Sequence, residues 1–350
     1  MRIGGIHEWK QNAHYRLLQP LEALRRRGHE VRIARAGTGH DPGLLQPEAL
    51  HSCAVVHGYR MLDAEELRLI QRLVRAGSAF VWDTDDDLAA LPRESPHYRE
   101  SGGVHGRRLF ERSLEIARLA DVVTTSTEAL AERYRRAGLE RVEVLPNYLA
   151  REALRGGPRR HDGFVVGWTA GLEHASDAAR IPIVETLRRM LDADPTVRVV
   201  SLGLDLGLPP DRYEHHAEVP FARLQDHIAR WDVGIAPLAD IPFNRVRSDV
   251  KLKEYASVGI PWLASPVGPY AGYGEAQGGR LVADEQWGAA IEELTRGRFA
   301  RRRLGRRARS WAKSQSIERH VARWEAVYAE AIERRAARRG HAPAVDSAAR

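Results

Sequence analysis

Cysteine is nearly absent: Cys53 is the single thiol in 350 residues. That excludes an intramolecular disulfide and any cysteine-based metal cluster. No apolar run approaches the roughly 18 residues that a membrane span requires. The opening MRIGGIHEWK carries no long apolar core of the signal-peptide kind. These absences lead to an expectation of a cytoplasmic location, with peripheral contact to the inner face of a membrane left open.

What the chain has in excess is positive charge, with 54 Lys and Arg against 47 Asp and Glu and a formal net charge of +7. Such a balance suits acidic ligands or surfaces without choosing among nucleotide, nucleic acid and anionic lipid. Hydrophobic content of 43% beside 29% charged residues marks a globular chain. Its length allows two domains, each able to bury a core.

Strand and helix patterns alternate along both halves, which predicts open parallel sheets with helices on both faces. Strands are expected at Arg2–Ile6, His29–Ala34, Ala54–His57, Ala79–Trp82, Val122–Thr125 and Val142–Leu145. A helix from about Tyr15 to Arg27 puts Leu17, Leu18, Leu21 and Leu24 on one face and stops at Gly28. The fold class is therefore α/β, with two Rossmann-like domains facing across a cleft. Residues 1–150 form the first domain, 151–162 a linker with Gly156, Gly157 and Pro158, and 163–315 the second domain. The region 316–335 is a terminal helix with a stripe of Ile317, Val321, Trp324, Val327, Tyr328 and Ala331, and 336–350 reads as a disordered tail. Ahead of that helix, Arg296 to Arg309 contains eight arginines and no carboxylate. An anionic membrane is one partner such a run suits.

The most informative stretch is WDVGIAPLADIPFNRVRSDVKLKEYASVGIPWLAS, Trp231 to Ser265. A short apolar strand, Val233–Ala236, is cut off by Pro237, and Arg245, Arg247 and Lys251 follow. Ser248 or Asp249 is placed to cap a helix that runs to Ser257 and ends at Gly259 and Pro261. Cations at a helix start just past a strand's carboxyl end make a phosphate site, since unpaired N–H groups and full charges converge there. Glu254 lies one turn after Lys251, on the same face, where a carboxylate can accept from a ribose diol. A second phosphate loop is suggested by FVVGWTAGLEHASD, with Gly171 and His174 ahead of a helix.

In this order the segment resembles the donor-binding motif of GT-B glycosyltransferases, in particular the large retaining family often called GT4. Pro237-Leu238, Arg247-Ser248, Lys251, Glu254-Tyr255-Ala256 and Gly259-Ile260-Pro261 carry the resemblance, and Tyr15-Arg16, Pro20 and Gly28-His29 support it in the first half. The resemblance implies an acceptor domain followed by a donor domain, a terminal helix that crosses back to the first, and a Pro146-Asn147 hinge. It implies a transferase that moves a sugar from a UDP- or GDP-sugar to a hydroxyl or amine, with retention, no metal and no cofactor beyond the sugar nucleotide. Gly171, His174, Arg247, Ser248, Lys251, Glu254, Pro237 and Leu238 would hold the donor, and Arg247 and Lys251 would act on the leaving diphosphate. One departure stands out: Val246 occupies the place of the motif's first glutamate, which leaves the sugar-holding role unassigned.

Asp83-Thr84-Asp85-Asp86-Asp87 places four carboxylates in five residues after a strand. Such a cluster calls for a cation, a donor network or raised pKa values. The resemblance gives Asp83 and Asp85 to the acceptor or the transferred sugar; Tyr59-Arg60, past another strand end, could offer a partner cation, and His7, His14 and His57 could also line the cleft. Two other readings stand. One is a metal-dependent Asp-x-Asp site of the GT-A architecture. The other is a non-catalytic binder of nucleic acid or an anionic surface, although few aromatics interleave the basic run and no nucleic-acid motif is present. A sugar-nucleotide epimerase would want Gly-x-Gly-x-x-Gly and Tyr-x-x-x-Lys, and neither is found. The partners expected are thus a sugar nucleotide and a small-molecule, glycan, lipid or carrier-bound acceptor, without nucleic acid.

Overall fold

The computed structural model describes residues 1–7, 13–35 and 47–340. The first domain holds one sheet of β1 (Arg2–His7), β2 (Glu30–Arg35), β3 (Val55–Tyr59), β4 (Ala79–Thr84), β5 (Val122–Thr125) and β6 (Val142–Val144). Its order is β2-β1-β3-β4-β5-β6, with all neighbours parallel. The second sheet contains β7 (Phe164–Ala170), β8 (Val197–Gly203), β9 (Tyr213–His216), β10 (Val233–Ala236), β11 (Trp262–Ala264) and β12 (Gly279–Leu281). It is likewise parallel, ordered β12-β11-β10-β7-β8-β9. Strands such as β7 and β10 read as unbroken apolar runs because helices cover both faces. Gly167 in β7 is required by packing, since a Cβ there would lie 1.9 Å from the Trp231 ring.

Each sheet reverses its winding once, between β1 and β3 in the first and between β7 and β10 in the second. Ligands of doubly wound sheets bind outside the carboxyl ends of the strands at such a reversal. The positions there are His7 and Tyr59-Arg60 in one domain, and Gly171 and Pro237-Leu238 in the other.

The expected helix over Tyr15–Arg27 begins differently. His14–Leu18 form a π-turn, in which the amides of Leu17 and Leu18 both bond the Ala13 carbonyl, and an α-helix follows over Gln19–Arg26. The wide turn sends Arg16 into the core, where it is fully buried. At the chain's other end, Ile317–His320 and Ala322–Gly340 are helical. Trp324, Val327, Tyr328 and Ala331 pack with Ile3, Leu21, Val55 and Val81, so the last helix lies on the first domain. The expected disorder from 336 onward is corrected as far as Gly340. Arg335 (3.0 Å) and Arg338 (3.2 Å) hold that stretch to the buried Asp121. Residues 341–350 lie outside the described residues. Among the described residues no helix is long and apolar enough to cross a membrane.

Asp83 is the main correction to the sequence reading. The apolar run ends at Trp82, but β4 continues to Thr84, so Asp83 lies within the strand and points the same way as Val81, into the core beneath the last helix. Both carboxylate oxygens are taken by Arg16, at 2.9 and 2.5 Å, and Thr124 donates at 2.5 Å. Neither Arg16 nor Asp83 is exposed. His57, expected in the cleft, is also in this core, with Nδ1 2.6 Å from the Tyr328 hydroxyl. Burial pushes the Asp83 carboxyl up, but the Arg16 charge and its hydrogen bonds outweigh it and hold it well below the ordinary range, with His57 Nε2 3.7 Å away.

An Asp83→Ala variant should therefore lose about 3–5 kcal/mol of stability, because it strands a buried guanidinium. Urea denaturation measures this. The same pair predicts acid sensitivity: its contribution is complete above the unfolded carboxylate's value of about 3.9 and fades as pH falls toward the depressed folded value. Unchanged stability with lost activity would return Asp83 to the acceptor side.

Candidate active site

The cleft is built around the helix Val250–Ser257, whose start faces the carboxyl ends of β7 and β10. The expected side-chain cap is not there. Ser248 instead accepts from Asn147 Nδ2 at 3.0 Å, and the Asp249 carboxylate takes Lys253 (2.8 Å) and the Tyr273 hydroxyl (2.6 Å). No side chain caps this helix, which leaves its first N–H groups to another acceptor. Lys251 reaches back to β7, donating to the Thr169 carbonyl and, at 3.1 Å, to Thr169 Oγ1.

Arg247 lies beside it. Its Nη2 donates to Glu173 Oε1 at 2.6 Å, and its Nη1 is 3.4 Å from His174 Nε2. His174 is buried, with Nδ1 2.7 Å from Asp177 Oδ2. Because that carboxylate only accepts, Nδ1 carries a proton, and the neutral ring has Nε2 free to accept from Arg247. Burial lowers the His174 pKa, and Lys251 and Arg247 lower it further, which favours that neutral form. Asp177 also accepts from the Ala239 amide (2.8 Å) and Asn244 Nδ2 (2.7 Å), locking the loop after β10 to the Gly171 turn. Pro237 and Leu238 are buried in that loop, Leu238 in the apolar cluster that holds Tyr255 and Trp262. A Cβ on Gly171 would lie 2.5 Å from the Glu173 carboxylate, so the glycine makes room for that side chain.

Glu173 was not singled out in the sequence, although it lies two residues past the flagged Gly171. Burial raises its pKa, but the charge of Arg247 above all, with that of Lys251, brings it well below the ordinary range. It supplies a carboxylate beside Arg247, whereas Val246 is buried and accepts from Thr127 Oγ1 across the domains at 2.7 Å through its carbonyl. Arg180, the first arginine after Gly171, does not join the site and bridges to Glu94 at 2.7 Å.

Glu254 points into the same cleft and accepts from the Tyr15 hydroxyl of the other domain at 2.7 Å. Burial raises its pKa against the opposing effect of Lys251. The Lys251 pKa is lowered, by burial first. Next to Tyr15, His14 stacks on Phe221 with ring centroids 4.0 Å apart and planes within 9°. These contacts hold the domains together across the cleft mouth.

On the facing domain the aspartate run divides by role. Asp87 caps the short turn Leu88–Ala90 and bridges to Arg133 at 3.0 Å. Asp85 and Asp86 remain at the cleft, half-buried, and both pair with Arg60. Tyr59 donates to Asp85 at 2.8 Å. Arg60 has φ of +50°, the single positive value at a non-glycine among the described residues. Strain of this kind is held by surrounding contacts and clusters at functional sites. Burial raises the Asp86 pKa while Arg60 lowers it, and Arg247 also lowers it from across the cleft. His7 is buried at the end of β1. Arg247, Lys251, His174, Glu173 and Glu254 thus meet Arg60, Asp85 and Asp86 across one crevice, while Asp83 and His57 stay outside it.

No protein-family model matches the chain, and no curated protein does. Solved structures match over nearly its whole length. Sucrose-phosphate synthase from Thermosynechococcus elongatus is 16% identical with a TM-score of 0.65, over 94% of this chain and 98% of that one. Anabaena HepE in complex with UDP is 14% identical with a TM-score of 0.65, over 93% and 99%. An alpha-glucosyltransferase in complex with UDP-glucose and DNA containing an abasic site is 10% identical with a TM-score of 0.66, over 90% and 96%. The two parallel six-stranded sheets facing across a crevice are the GT-B fold, and this chain has it.

Proposed function

We propose that the protein transfers a glycosyl group from a nucleoside-diphosphate sugar to a hydroxyl or amine acceptor, as the GT-B resemblance implies. The observation that carries this reading is the convergence of Arg247, Lys251 and Glu254 at the uncapped start of the Val250–Ser257 helix. A diphosphate at that point would take the free N–H groups and both cations, and Glu254 would accept from the ribose hydroxyls. Two of the neighbours named above, HepE in complex with UDP and the alpha-glucosyltransferase in complex with UDP-glucose, support a uridine donor.

The chemical barrier is departure of the diphosphate from an anomeric carbon that becomes oxocarbenium-like. Negative charge grows on the leaving oxygen, and preorganised cations stabilise that charge more than the bound donor. The C–O bond to the phosphate breaks, a bond from the acceptor oxygen or nitrogen forms, and the acceptor's proton passes to the departing phosphate. Attack on the face the diphosphate leaves would retain configuration. Arg247 and Lys251 would supply the neutralising charge in place of a metal ion. Asp85 and Asp86, held by Arg60 and Tyr59, are the acceptor-side groups in this reading. They replace Asp83 in that role.

Two variants test the donor site. Lys251→Ala should lower turnover about 10²–10³-fold, and Glu254→Ala should weaken UDP binding about tenfold or more. Unchanged transfer and nucleotide affinity in both would remove the site. Chelator-sensitive turnover restored by Mn²⁺ would favour the metal-dependent reading.

Tyr15→Phe should act in the opposite direction. The hydroxyl occupies the carboxylate that the ribose needs, so its removal should tighten UDP binding about three- to tenfold by calorimetry. An unaltered Kd would mean that the ribose does not use Glu254.

A further inference from the structure

A cavity of about 980 Å³, rich in charged side chains, lies on the far edge of the donor domain. Its lining includes Asp162 just before β7, Asp232 just before β10 and Pro261 just before β11. The strands are parallel, so these positions share the amino-terminal edge, and the candidate active site lies at the carboxyl end. The length of β7 separates the two by about 20 Å.

Seven arginines and two aspartates line this cavity. Arg298, Arg302, Arg306 and Arg309 come from one face of the helix Arg298–Ser314, repeating at the spacing that brings helical side chains together. Arg303 and Arg307, on the next face, pair with Glu275 at 3.3 and 2.9 Å. The arginine-rich run is therefore split between a neutralised face and an unneutralised one. Arg160, Arg298, Arg302 and Arg306 have no ion pair among the described residues. Of the two aspartates, Asp232 is already engaged, with Arg301 at 3.5 Å and the Val165 amide at 3.0 Å. Arg309 is half-buried: its Nη2 donates to the Leu154 carbonyl, whereas its Nη1 is buried without a partner. Such a donor lacks the acceptor that buried polar groups ordinarily have. A neighbouring cavity of about 770 Å³ shares Arg159 and Arg160 and adds Arg198, Arg212 and Arg230.

We propose that this cavity is a binding site for a phosphate-bearing ligand carrying at least two negative charges. Guanidinium forks match phosphate oxygens in pairs, and several converge here on one concave space. Concavity selects a compact group that enters over a flat charged surface that only touches the rim. The ligand chemistry is common to a soluble oligophosphate and to a lipid headgroup, and the site is independent of the sugar-nucleotide cleft.

The test uses tripolyphosphate as the probe, titrated calorimetrically into the full chain at about 0.15 M salt, where surface charges more than about 8 Å apart are screened. Wild type should bind, and Arg302→Gln/Arg306→Gln should weaken binding about tenfold for each guanidinium removed. The titrations are made with the cleft filled by saturating UDP, which should leave the binding at the far cavity in place. No binding by wild type beside saturating UDP, or binding that the arginine variant keeps in full, would overturn the proposal. Co-sedimentation with phosphatidylglycerol–phosphatidylcholine vesicles then separates the sources. Sedimentation that the arginine variant loses supports the site with a lipid headgroup as ligand. Tripolyphosphate binding without sedimentation supports it with a soluble ligand.

Discussion

The buried Arg16–Asp83 pair is the constraint on which the rest of the structure depends. Two charges taken out of water are tolerable only when their remaining hydrogen-bonding capacity is filled. Arg16 meets that requirement by bonding Asp83 on one side and, on the other, the Leu145 carbonyl and Asn147 Oδ1 (3.0 Å). Asn147 in turn donates to Ser248, and its carbonyl accepts from Lys253 at 2.7 Å. One connected set of polar contacts therefore runs from the first sheet, through the crossover between domains, to the helix that bears Lys251 and Glu254. The position of the donor helix relative to the first domain is specified by groups that cannot be left unpaired.

That connection explains the sharing of the cleft between domains. Glu254 meets Tyr15 only because the π-turn sends Arg16 inward and its neighbour outward. Across the crevice, the Arg60 pairing gathers Asp85 and Asp86 opposite Arg247. The cleft thus has a cationic wall for a diphosphate and an acidic wall for an acceptor, each held by buried contacts rather than by mobile side chains.

Much of this was legible in the sequence, for reasons that particular residues make plain. The strand Val233–Ala236 and the helix stop at Gly259 are set by local chemistry, an apolar run cut by proline and a left-handed glycine. Lys251 and Glu254 share a face by helical periodicity alone, and both reach the cleft. Asp83 was misread because a strand's end cannot be fixed from where its apolar residues stop, and because Arg16 is 67 positions distant in sequence. Glu173, Tyr15 and Asp86 gained their places through tertiary contacts that no local pattern encodes. The charge run of 296–309 looked uniform in sequence, yet helical geometry divides it between Glu275 and the far cavity.

The central claim is that a diphosphate docks on the amino end of the Val250–Ser257 helix. A crystal structure of the protein grown with UDP tests it most directly. The account predicts phosphate oxygens within hydrogen-bonding distance of Arg247 and Lys251, the ribose on Glu254, and the Tyr15 hydroxyl displaced from that carboxylate. A nucleotide bound elsewhere, with the Tyr15–Glu254 contact intact, would contradict it.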